Sequence, residues 1–78
     1  MIRNVYLWQN GQVMVFDEAG HQLPDYQGPI SEGLDKILAD APDSAQFYTG
    51  HWRREYREVT REEWAKACRA FVAGEAFA

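Results

Sequence analysis

The chain predicts a small two-layer α+β sandwich, in the order β-β-(β)-α-β-(β)-α, with both helices on one face of a mixed sheet. Three observations carry that reading. Asn10-Gly11 separates two β-rich runs, the pattern of a tight hairpin. Ile30, Leu34, Ile37, Leu38 and Ala41 recur at helical spacing. Val59-Thr60-Arg61-Glu62-Glu63-Trp64 combines a capping box with a hydrophobic staple. Its 78 residues make a single domain, 1–78, and a chain this short buries only about 60–65% of its unfolded surface.

The elements follow in order. Residues 2–9 and 12–17 flank Asn10-Gly11. A two-residue type I′ turn there requires positive φ at both positions and fixes a register. Trp8 then faces Val13, Leu7 faces Met14, Tyr6 faces Val15 and Val5 faces Phe16. Side chains alternate between faces. Val5, Leu7, Met14 and Phe16 form the expected core face, and Tyr6, Trp8, Val13 and Val15 form an amphipathic second face. Glu18-Ala19-Gly20 fits a three-residue loop closed by a left-handed glycine. His21-Gln22-Leu23 is expected to return as a strand until Pro24 stops it.

Ser31 is the expected N-cap of the first helix, and Pro42 ends it. Ala45 to Thr49 reads as a strand. Gly50-His51 is either a two-residue turn or a kink in one continuous strand, with the continuous strand preferred. In the second helix Thr60 is N-cap and Glu63 is N3, with Val59 and Trp64 as the staple. Trp64, Ala67, Cys68 and Phe71 line its inner face, and Gly74 follows its end. A crossover through the first helix is expected to bring the strand at Ala45 beside the first strand.

Charge and composition narrow the function. The net charge is −4, with seven acids and one base, Lys36, in residues 17–43. An acidic chain is a poor general ligand for nucleic acid. Cys68 is the only cysteine, which excludes an internal disulfide and a Cys-rich zinc site. Neither a signal peptide nor a membrane span is evident, so the expected location is the cytoplasm.

Catalytic chemistry finds little purchase. Ser31 and Thr60 serve as caps, Cys68 lies on the buried stripe of the second helix, and His21 and His51 lack triad-like context. No glycine-rich phosphate loop exists. Asp17, His21 and Asp25 form the one grouping that suggests a metal or acid/base site, but Asp17 and His21 are better read as flanking a turn. The expectation is a non-enzymatic protein with no catalytic residues, no metal and no cofactor.

Two binding readings remain. The first places a protein partner, or a second copy of the chain, on the second sheet face: Tyr6, Trp8, Val13 and Val15, joined by Tyr48 and Trp52. Tyr and Trp dominate binding hot spots. The competing expectation is that segment 23–29, through Leu23 and Tyr26, or the C-terminal tail covers this face. The second reading is a nucleic-acid patch of Trp52, Arg53, Arg54, Tyr56 and Arg57. Against it, Glu55 and Glu58 interleave, and residues 51–63 hold four arginines and four glutamates. A self-paired edge strand explains the same residues.

The segment NVYLWQNGQVMVFDEAGHQLPDYQG, Asn4–Gly28, with Arg61-Glu62-Glu63-Trp64 further on, resembles small uncharacterised proteins encoded by bacteriophages and prophages. The resemblance covers roughly the first third of the chain and the start of the second helix. It implies a phage accessory protein that acts by binding, and it carries over no site.

Overall fold

Strands β1 (Asn4–Trp8) and β2 (Gln12–Phe16) pair antiparallel, with Asn4 opposite Phe16, Val5 opposite Val15, Tyr6 opposite Met14 and Leu7 opposite Val13. This computed structural model describes residues 1–8, 10–50 and 55–74, with the backbone alone at 31 and 32. The register differs by one residue from that of a two-residue Asn-Gly turn. β1 ends at Trp8 and β2 starts at Gln12, and Gly11 N–H donates to the Trp8 carbonyl at 2.9 Å. Gly11 supplies the closing left-handed position, at φ +83°. Asn10 Oδ1 accepts from Gln12 N–H at 3.0 Å. Packing also requires glycine here, because a Cβ at position 11 would overlap the Phe71 ring.

A one-residue slip turns the slipped strand's side chains to the other face. Val13 and Val15, expected on the binding face, are 1% and 0% exposed and lie in the core with Val5 and Leu7. Met14 and Phe16, expected in the core, share the opposite face with Tyr6 and Trp8 and keep part of their surface in solvent. The observed register puts the β-branched valines of β2 under the helices and leaves the larger, more adaptable side chains outside.

The second turn matches its sequence reading. Gly20 stands at φ +82°, its N–H donating to the Asp17 carbonyl at 3.1 Å, and Asp17 N–H donates to the His21 carbonyl at 2.9 Å. The returning chain makes only an isolated bridge, Phe16 with Gln22. A 3₁₀ turn at Pro24–Tyr26 follows. The edge strand is β3 (Gly28–Pro29), antiparallel to β2, later than the His21–Leu23 strand that was expected.

Helix α1 (Ile30–Asp40) starts one residue ahead of Ser31, with Pro29 at the N-cap and no side-chain cap. The hairpin loop takes over part of that role: Ile30 N–H donates to the Gly11 carbonyl at 3.1 Å. β4 (Gln46–Gly50) then lies parallel to β1, placing Tyr48 beside Tyr6. β5 (Tyr56–Val59) is antiparallel to β4. The chain therefore reverses after Gly50, which corrects the preferred continuous strand. Gly50 opposite Tyr56 has no room for a side chain, since a Cβ would stand 2.7 Å from Tyr56 Cβ. The reversal itself, with Trp52, Arg53 and Arg54, lies outside the described residues. The strand order is β3-β2-β1-β4-β5.

Helix α2 (Arg61–Val72) carries the expected capping box: Glu63 N–H donates to Thr60 Oγ1 at 3.1 Å, and Thr60 N–H donates to Glu63 Oε1 at 2.9 Å. Trp64 and Cys68 are fully buried against the sheet, with Trp64 centred 5.2 Å from the Phe47 ring. Ile30, Ile37 and Ala41 complete the core from α1. Each large apolar side chain buried this way contributes about 1.5–3 kcal/mol. Arg61 ties the helices together. Its guanidinium donates to the carbonyls of Leu38 (3.2 Å), Ala41 (2.9 Å) and Pro42 (2.7 Å) and lies 5.1 Å from the Phe47 ring centre. These carbonyls lie at and just beyond the C-terminal end of α1, where a cation is favoured. Among the described residues, no helix is long and apolar enough to cross a membrane.

Candidate functional site: the aromatic face of the sheet

With both helices on the valine face, alternation turns Tyr6, Trp8, Met14, Phe16, Tyr48 and Tyr56 to the other side. Tyr6 is the hub. Its ring stacks on Trp8 (5.4 Å between centres, 8° between planes) and on Tyr48 (4.7 Å, 15°). Phe16 meets it edge-on at 5.7 Å. Tyr56 crosses the stack at 88°, 5.1 Å from Tyr6 and 5.3 Å from Tyr48. The parallel β1–β4 pairing aligns Tyr6 with Tyr48. Gly50 contributes no side chain, and this lets Tyr56 lie close against the strand.

Exposure is uneven across the face. Tyr56 is 54% exposed, whereas Trp8 is 8% exposed. Trp8 was expected as an exposed contact; stacking on Tyr6 and an edge contact with Tyr56 at 6.1 Å bury it instead. Tyr6, Met14, Phe16 and Tyr48 are half-buried. Tyr48 Oη donates to Gln46 Oε1 at 3.0 Å. Burial raises the Tyr6 phenol pKa above its ordinary value, with Tyr56 and Tyr48 adding to the shift. Burial also raises that of Tyr48, with the Glu58 carboxylate adding to it. Both phenols stay neutral at physiological pH.

Leu23 and Tyr26 do not cover this face. They pack against the helical core, where Tyr26 Oη donates to Asp40 Oδ2 at 2.8 Å and the Lys36 ammonium sits 5.0 Å from the Tyr26 ring centre. The tail after Gly74 lies outside the described residues.

Of the arginine stretch, Tyr56 and Glu58 belong to the aromatic face. Arg57 does not: it pairs with Thr49, which is buried on the helix side. Tyr56 and Arg57 therefore project from opposite sides of the sheet. Tyr56, Met14 and Phe16 are the face residues that sequence reasoning placed elsewhere. The Asn10-Gly11 pair was the available signal for the two β2 residues, read there as a two-residue turn.

The acidic turn has a structural role. Asp17 Oδ1 accepts from Ala19 N–H (3.0 Å) and His21 N–H (2.9 Å), and His21 Nδ1 is 3.8 Å from Asp17 Oδ2. The His21 amide bond is the main reason the Asp17 carboxyl lies below its usual range. Asp25 sits exposed in the 3₁₀ turn. Among the described residues no three His, Cys, Asp or Glu side chains converge as metal ligands. Burial pushes the Cys68 thiol up to about 12, so it stays protonated.

A cleft of about 430 Å³ opens beside β4 and β5, with Asp43, Gln46, Glu58, Arg61 and Glu63 among its lining residues. Its acids outnumber its one base, and that base is already committed to the α1 carbonyls. The chain matches no family model, no curated protein and no solved structure.

Proposed function

We propose that this is a non-enzymatic binding protein that meets a protein partner, or its own copy, through the aromatic face of its sheet. The observation that carries this reading is the ring cluster around Tyr6, which lies on the face opposite both helices and ends in the exposed Tyr56. Clustered Tyr and Trp side chains supply large contact area at little conformational cost. The contact residues are Tyr6, Met14, Phe16, Tyr48 and Tyr56, with Trp8 as their buried support. The resemblance to phage and prophage proteins fits an accessory factor made in a bacterial cytoplasm.

The nucleic-acid reading has less support. Stacked rings can receive bases, but Glu58 stands on this face while Arg57 projects from the other.

Affinity capture from a bacterial lysate, with light scattering for self-association, tests the proposal. Tyr56→Ser and Tyr48→Ser are expected to lose the captured partner or the self-association with little change in melting temperature. Undiminished association in both variants would remove the aromatic face from the function.

A further inference from the structure

The aromatic face also carries a charge that selects its occupant. We infer that the face binds a basic, arginine-bearing extended segment of a protein partner, with one guanidinium seated on the exposed Tyr56 ring beside Glu58. The inference rests on the binding role proposed for this face.

Three features converge. Tyr56 is 54% exposed and meets Tyr48 at 88° in an edge contact, with centres 5.3 Å apart, so it is the ring of this pair most open to a ligand. Glu58 lies directly opposite Tyr48 and two residues from Tyr56, on the same face. Its exposed carboxylate makes no hydrogen bond or ion pair among the described residues. A planar guanidinium can lie flat on one ring while its N–H groups reach a carboxylate, which an ammonium does less well. Beyond Glu58 the surface continues into the cleft with Asp43 and Glu63. Arg3, the cation acting on Tyr48, already donates to the Ser44 carbonyl at 3.2 Å.

Area and charge favour a short segment over a second copy. Five short strands, one of them only two residues long, at about 4.8 Å spacing and at most about 17 Å length offer a flat area below roughly 400 Å². A stable interface needs about 800 Å² from each partner. A second copy would also bring its own Glu58 and a net charge of −4 to the same face.

The probe is acetyl-Gly-Arg-Gly-Arg-Gly-amide, compared with its citrulline counterpart, which keeps the shape and loses the charge. Titration into the ¹⁵N-labelled protein is expected to shift the amides of Gln46–Gly50 and Tyr56–Val59 saturably. Binding should weaken about tenfold with citrulline and about tenfold with Glu58→Gln, while Asp35→Asn on α1 changes nothing. Raising salt from about 50 mM to about 500 mM should weaken it further. Equal affinity for the two peptides, indifference to Glu58→Gln, or no saturable shift at millimolar peptide overturns the inference. A partner captured through Tyr56 alongside any of these results leaves the binding face standing and removes only its preference for a cation. Loss of both removes the two readings together.

Discussion

Gly11 shows how much of the fold one residue can decide. Its positive φ closes the first hairpin, its carbonyl accepts from the start of α1, and its missing side chain makes room for Phe71. Gly11→Ala is expected to destabilise the protein by about 2 kcal/mol or more, through a strained φ and a displaced ring; urea unfolding measures it. Arg61 is the second such residue. Arg61→Ala removes the donors to three carbonyls at the end of α1 and should cost about 1–3 kcal/mol. Arg61→Lys should recover only part of it, because an ammonium cannot span the same fork. Asp17 makes a prediction in pH. Its folded pKa is depressed, so its stabilisation is present above the unfolded value of about 3.9 and lost as pH falls through the lower folded value. Asp17→Asn should therefore flatten the acid side of the stability profile below about pH 4. An unchanged acid limb would show that the turn bonds do not depend on ionisation.

Among the elements, α2 was the most legible, because its signals are local. A capping box fixes the start from Thr60 and Glu63, and Gly74 at φ +84° marks the end. The first hairpin was legible as a hairpin and misread in register. Asn10-Gly11 does not fix the register by itself, and the observed turn carries a contact from far along the chain, the Phe71 ring packed against Gly11. The start of α1 was misread for a similar reason: the Gly11 carbonyl satisfies Ile30 N–H, a contact that no local pattern around Ser31 contains. β5 ends the sheet with alternating charges. Antiparallel pairing of two β5 edges about a two-fold axis at the middle of the strand, through Arg57 or Glu58, would set that residue against its own copy, and like charges directly opposite are destabilising. Arg57→Val is expected to remove that protection and produce a concentration-dependent self-association that survives Tyr56→Ser. Size-exclusion chromatography of the single and double variants checks it.

At the scale of the whole molecule, the layer arrangement was readable because two amphipathic helices can cover only one side of so small a sheet. That logic left the other side uncovered by either helix, and the presence of Tyr6 and Tyr48 on it followed from alternation alone. Tyr56 was not readable, since its place depends on where the chain reverses after Gly50. The buried Trp8 was not readable either, because stacking on Tyr6 and contact with Tyr56 require all three strands in register. The most direct test of the binding face is site-specific photocrosslinking in a bacterial lysate. A benzophenone amino acid replaces Tyr56 on the aromatic face in one protein and Asp35 on α1 in another. A discrete protein adduct at position 56 and none at position 35 is the expected result. Equal labelling at both positions, or an adduct at position 35 alone, would contradict the account.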